Sequence, residues 1–165
     1  MIVDRIRTTD DVNVCVNMYY DLNDHSFLYV EKRVSTASFL RLLGGDGYFR
    51  CVRNHYREIL AWSCFVTEVP LHSSVSQFRQ LYYASNQNGL AAARCVKLLH
   101  RDAVAQAGRL RLRTVISQGS HMDEKNILVK ILEKDGWDRR GHTAMYRFNM
   151  IEMSPETSTF MSRSP

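Results

Sequence analysis

The sequence predicts a mixed α/β domain, one sheet flanked by helices. Three observations carry this. Some segments repeat apolar residues with period two, others with a period near 3.6. The two kinds interleave along the chain as β-α-α-β-β-β-α-β-α-β, the pattern of a sheet with helices packed on it. A length of 165 residues, with 45% hydrophobic and 24% charged side chains, suits one domain around one core.

Residues 2–7 alternate and read as a first strand. Thr8-Thr9-Asp10-Asp11 is a Thr-x-x-Asp helix start, followed by Val12, Val16, Tyr19 and Tyr20 at helical spacing to about Leu22. Asn23-Asp24-His25-Ser26 breaks that helix. Ser35 is read as the cap of a second helix carrying Phe39, Leu40 and Leu43, and Gly44-Gly45-Asp46-Gly47 is expected to end it through left-handed glycine. Tyr48–Arg53 and Glu58–Val69 read as a hairpin around Asn54-His55-Tyr56, with Pro70 as the stop. Gln77–Ser85 is the next strand, and a long helix follows the turn Asn86-Gln87-Asn88-Gly89. Its apolar stripe is Ala92, Val96, Leu99, Ala103 and Ala107, and Gly108 closes it. Arg109–Ser117 is expected to be a strand with Arg109, Arg111 and Arg113 alternating on one solvated edge face. Ser120-x-x-Asp123 starts a last helix with Ile127, Leu128, Ile131 and Leu132 on one apolar face, stopped at Gly136. Residues 138–150 hold a final strand or hairpin, and residues 152–165 are polar. There is no internal repeat and no low-complexity segment.

Charge is uneven. The net charge is +5. Residues 1–93 hold nine basic and nine acidic side chains, and residues 94–147 twelve basic against six acidic. An excess of six in the C-terminal half suits an anionic partner, a nucleic acid or a multiply phosphorylated small molecule. No RNA-binding aromatic signature accompanies the arginines, so nucleic acid is disfavoured. No stretch nears the ~18 apolar residues of a membrane span, and no apolar block opens the chain as in a signal peptide. Cys15, Cys51, Cys64 and Cys95 lie far apart, without a Cys-x-x-Cys pair. That argues against a zinc knuckle or a dithiol redox centre, and no metal is expected. Reduced thiols in a cytoplasm fit best.

The chemistry centres on residues 81–101. A strand ends, a turn holds one glycine, and a helix opens with Ala91-Ala92-Ala93. A helix N-terminus offers unpaired N–H groups and about half a positive charge, which suits phosphate. Small side chains there let a ligand approach the backbone.

Here the chain resembles the GNAT-type N-acetyltransferases, whose fourth strand and following helix read approximately Leu-x-Val-x-Pro-x-x-Arg/Gln-Gly-x-Gly-x-Gly/Ala. Leu81, Gly89 and Ala93 match; Tyr83, Ser85, Asn88 and Ala91 depart. Glu133-Lys134-Asp135-Gly136-Trp137 is similar to the family's Glu-Lys-x-Gly-Phe, and Ile6 to Val12 to its usual opening. A diverged subgroup often encoded by tailed bacteriophages shares the Gly-x-Ala-Ala-x-Arg helix start (Gly89, Ala91, Ala92, Arg94) and a Ser-x-Gly after the fifth strand, here Ser117-Gln118-Gly119. The resemblance covers residues 2–150, so residues 1–150 are expected to form one acetyltransferase-like domain, with 151–165 a tail. It implies a mostly antiparallel mixed sheet with a V-shaped splay between strands 4 and 5, flanked by about four helices. It also implies acetyl-CoA in that V. The pantetheine would pair with Tyr82, Tyr83 and Ala84. The pyrophosphate would lie on the backbone of Asn88, Gly89, Leu90, Ala91, Ala92, Ala93 and Arg94.

Acetyl transfer to an amine needs proximity, a base and a proton for the leaving thiolate. The family places a base on the central strands; Glu68 is the first candidate here and His72 the second. Its general acid is a tyrosine early in the last helix, and the aligned residue is Leu132. Water, Ser117 or His121 could replace it. Two functions follow from the resemblance: direct acetyl transfer to an unidentified small-molecule or protein amine, or a catalytically silent copy of the fold that binds a protein partner or serves as a structural, phage-related component. A homodimer is also open. The expected location is the cytoplasm, the host's if the chain is phage-encoded.

Overall fold

The computed structural model describes residues 1–23, 32–70, 75–118, 127–140 and 143–147. Its elements are β1 (Ile2–Asp4), α1 (Thr9–Asn23), α2 (Lys32–Leu43), β2 (Tyr48–Arg53), β3 (Ile59–Glu68), β4 (Gln77–Ser85), α3 (Gly89–Arg109), β5 (Thr114–Gln118), α4 (Ile127–Glu133), β6 (Asp138–Arg140) and β7 (Thr143–Arg147). One sheet joins the strands in the order β1-β2-β3-β4-β5-β7-β6. All neighbours are antiparallel except β4 and β5, which the α3 crossover makes parallel. The expected fold class is what the structure shows.

The sheet buries both faces. On one, Phe49, Cys51, Trp62, Cys64 and Ala84 meet Val12, Cys15, Val16 and Met18 of α1 and Phe39 of α2. On the other, Phe65, Phe78, Val115 and Ala144 meet Val96, Ala103 and Ala107 of α3 and Val129 and Leu132 of α4. The expected Thr-x-x-Asp start of α1 is present. Asp11 N–H donates to Thr8 Oγ1 (3.1 Å), and Thr8 N–H donates back to Asp11 Oδ2 (3.3 Å). Asp11 also takes a hydrogen bond from Arg53 Nη2 at 2.8 Å, and Asp4 lies 3.3 Å from Arg53 Nε, so one buried arginine ties β1 and α1 to β2. Burial works against the Asp11 charge, but the Arg7 amide and the Arg53 guanidinium outweigh it and hold its carboxyl below the usual range.

Several expectations need correction. β1 stops at Asp4 rather than residue 7, and α2 begins at Lys32, so Ser35 lies inside it and is not its cap. The Gly44–Gly47 turn contains no left-handed glycine; Gly47 is needed because a Cβ there would sit 2.5 Å from the Leu42 carbonyl oxygen. Arg109 belongs to α3, and Leu110 to Arg113 form a turn with Arg111 at φ 55. The arginines therefore do not alternate along a strand, and β5 is no edge: it pairs with β4 and β7. The apolar side of α4 is Val129 and Leu132, with Leu128 and Ile131 packed beside them and Ile127 exposed. Residues 24–26, the Ser120-x-x-Asp123 start, His72, His121, Gly119 and the tail lie outside the described residues.

Candidate functional site

β4 and β5 pair over two positions only, Phe78 with Val115 and Arg79 with Ile116. β4 then runs on to Ser85 without β5 as its partner, while its other edge stays paired with β3 as far as Ala61–Ser85. The two strands thus part after Arg79 and Ile116 and leave a V open at their C-terminal ends. The β3–β4 register shifts at the same place. Phe65 pairs with Gln80 but Cys64 with Tyr82, so Leu81 has no opposite residue on β3. A bulge bends a strand and increases its twist, which is what parting from a neighbour demands. It also reverses the alternation. Tyr82 falls on the α1–α2 face, 5.3 Å from the Tyr19 ring, and Tyr83 on the α3 face, 6.5 Å from the His100 ring. Ala84 lies beneath α1 in the first core cluster.

At the open end, Asn88 precedes α3 in an extended conformation and makes no side-chain capping bond. Gly89 has φ +55, which costs a residue with a Cβ about 1–2 kcal/mol, and among the described residues nothing beyond its chain neighbours and the backbone of α3 lies within 4 Å of where that Cβ would be. The first turn contains no acidic residue. Leu90 is exposed, Ala91, Ala92 and Ala93 are half-buried, and Arg94 faces solvent. The start of α3 thus has neither a side-chain cap nor an acidic residue in its first turn, a setting that fits a phosphate group. A cleft of about 370 Å³ lies beside this turn, between Val14, Asn17, Met18 and Asp21 of α1 and Ser85 and Asn86. Part of the basic excess is neutralised locally. Arg101 forms a two-pronged contact with Asp135 at 2.6 and 3.0 Å, and Lys97 reaches the same carboxylate at 3.4 Å.

The catalytic candidates separate. Glu68 ends β3 opposite Gln77, on the same face as Val66 and hence as α1 and α2. Its Oε1 accepts from Gln77 Nε2 (2.6 Å) and lies 3.4 Å from Arg79 Nη1. It stands beside the closed end of the V, not between the parted strands. Ser117 lies in β5 at the vertex itself and is fully buried. Leu132 is also fully buried, within the α3–α4 core.

Two residues not singled out from the sequence join Ser117. His100 of α3 is fully buried and Gln80 of β4 nearly so. His100 Nδ1–H donates to the Val96 carbonyl (2.8 Å), which leaves Nε2 to accept from the Ser117 hydroxyl at 2.9 Å. The same hydroxyl touches the Gln80 carboxamide oxygen, which is 3.1 Å from Nε2. Burial pushes the His100 pKa down to about 4, so the ring is neutral at physiological pH. The signals were in the sequence: His100 falls in the Val96–Leu99–Ala103 stripe, and Gln80 shares the inward phase of Phe78.

All four cysteines are free and buried, and burial pushes each thiol upward, Cys51 to about 11 and Cys64 to about 12. A thiolate nucleophile is not available at neutral pH. A disulfide-exchange reagent should therefore label almost nothing in the native protein within minutes and four thiols in denaturant. Rapid labelling of any one native cysteine would show that its pocket opens. Among the described residues, no group of His, Cys, Asp and Glu could hold a metal ion, and no helix is long and apolar enough to cross a membrane.

No family model and no curated protein matches the sequence. Solved structures match it in fold. A probable acetyltransferase superposes with a TM-score of 0.68 at 11% identity, over 94% of this chain and 100% of its own. An N-acetyltransferase from Staphylococcus aureus Mu50 gives 0.67 at 12%, over 88% and 97%. An aminoglycoside 6'-N-acetyltransferase complexed with coenzyme A gives 0.65 at 8%, over 89% and 97%. At such identities the likeness is one of fold: the chain has the acyl-CoA N-acyltransferase fold shared by GNAT-type enzymes.

Proposed function

We propose that this chain is an acetyl-CoA-dependent N-acetyltransferase that moves the acetyl group directly to an amine. The carrying observation is the parting of β4 and β5 after Arg79 and Ile116, ending at an uncapped helix start with a left-handed glycine. The backbone of Asn88 to Arg94 would hold the pyrophosphate, and Tyr82, Tyr83 and Ala84 would line the pantetheine arm. Acetyl-CoA supplies an activated thioester; the protein supplies proximity, orientation and a path for protons. Glu68 takes the proton from an amine arriving over the α1–α2 face, where Gln77 and Arg79 orient its carboxylate. Glu68→Gln should then lower the rate by ~10²-fold and leave coenzyme affinity nearly unchanged. An unaltered rate would place the base elsewhere.

The overall test is release of free thiol from acetyl-CoA in the presence of a panel of small amines and peptide N-termini, with the acetylated product found by mass spectrometry. Turnover above the protein-free rate is expected for at least one class of amine. A second reading, a silent acetyltransferase fold that binds a protein partner or serves in a phage structure, draws on the buried Leu132 at the family's acid position. It predicts coenzyme binding or none, but no product with any amine.

A further inference from the structure

We propose that Gln80, Ser117 and His100 form a latch that fixes where β4 and β5 part, and so sets how long an acyl group the cleft admits. The proposal rests on the coenzyme's arm lying in that V. The last two backbone pairs, Phe78–Val115 and Arg79–Ile116, share one register, and the next position in it is Gln80–Ser117. There the cross-strand contact passes from backbone to side chains: the Ser117 hydroxyl meets the Gln80 carboxamide. The following residue of β4 is the bulged Leu81. The latch is therefore the last tie between the strands before they diverge.

His100 braces it from one side. Its ring is held by the Val96 carbonyl one helical turn back, and its unprotonated Nε2 accepts from the Ser117 hydroxyl (2.9 Å); Gln80 Oε1, 3.1 Å from that nitrogen, is the second acceptor facing the same hydroxyl. Gln80 Nε2 lies 3.5 Å from the Tyr82 carbonyl oxygen, which links the latch to the strand beyond the bulge. Apolar side chains would fill this volume without the desolvation cost of three polar groups. Directional hydrogen bonds fix one geometry where apolar packing tolerates several. The position of the vertex limits the depth of the V, and an acyl group extends from the inner end of the arm toward it. Gln80 and His100 are positioning residues in this scheme, and Ser117 is the pin they hold.

The test is binding, which needs no acceptor. Dissociation constants are measured for wild type, Ser117→Ala and Gln80→Met with four probes: coenzyme A, acetyl-CoA, butyryl-CoA and 3'-phosphoadenosine 5'-diphosphate, which lacks the arm. Wild type should prefer acetyl-CoA to butyryl-CoA. Both variants should keep their affinity for the armless nucleotide, bind coenzyme A on the order of tenfold more weakly, and lose the acetyl preference. Equal weakening of all four probes would mean a merely structural role, and unchanged selectivity would mean that the vertex is set elsewhere; either overturns the latch. A wild type that binds none of the probes removes the coenzyme reading, and the latch falls with it. If Ser117→Ala does not fold, Gln80→Met decides alone, because methionine preserves the volume and removes only the hydrogen bonds.

Discussion

Ala92→Glu is expected to lower affinity for coenzyme A by at least about a hundredfold in a protein whose melting temperature hardly moves. Ala92 is half-buried in the first turn of α3, where no acidic residue stands. A carboxylate there is favourable for the helix itself, because it faces the positive end of the dipole. It is unfavourable for the ligand, because it sets like charge against phosphate. The variant thus separates folding from binding. Gly89→Pro approaches the same site differently. Proline fixes φ near −65°, whereas Gly89 has φ +55, and it removes one of the N–H groups proposed to hold the pyrophosphate. The turn must rebuild, so this variant should lose both coenzyme binding and some stability. Normal binding by both variants would put the phosphate site away from α3.

Trp62→Ala should destabilise the fold by about 3–5 kcal/mol, a large share of the ~5–15 kcal/mol available to a domain. Trp62 is 1% exposed at the centre of β3. Its ring lies 5.0 Å from Phe39, and 6.1 Å from both Tyr19 and Phe49, so it joins α1 and α2 to the sheet. It also pairs in register with Ala84 and lies 6.4 Å from Tyr82, two residues proposed to line the coenzyme arm. The melting temperature should fall by roughly 10 °C or more. Trp62→Phe should cost much less, since the indole Nε1 has no hydrogen-bond partner among the described residues and only ring volume is lost. A loss below about 1 kcal/mol for the alanine variant would mean that the cluster collapses to fill the gap.

The central elements were legible because each kept one clean period between strong stops. β2 and β4 were placed to the residue and α3 to within one, with Gly89 opening the helix. The Arg109–Arg113 segment misled for a physical reason: alternation of arginine and leucine looks like a strand, but the chain was leaving a helix, and Arg111 takes a left-handed turn. The α3 start was recognisable from Gly89 and its alanines. The vertex was not. Gln80 and His100 are polar residues on apolar phases, and sequence reading treats such positions as exceptions rather than as partners. Their meeting depends on a strand register and a bulge at Leu81, both set by tertiary pairing. The bulge also explains why the adjacent tyrosines, Tyr82 and Tyr83, could not be assigned to faces beforehand: a period of two, continued from Phe78, puts each on the wrong side.

The most direct measurement is calorimetric titration of the wild-type protein with coenzyme A, paired with melting curves. One site with a saturable heat is predicted. At a hundred times the dissociation constant, the ligand should add about 2.7 kcal/mol to stability. The Ala92→Glu protein should show neither the heat nor the added stability. No heat and an unshifted melting curve for wild type at millimolar coenzyme would contradict the assignment of this cleft to acyl-CoA and, with it, the proposed transferase activity.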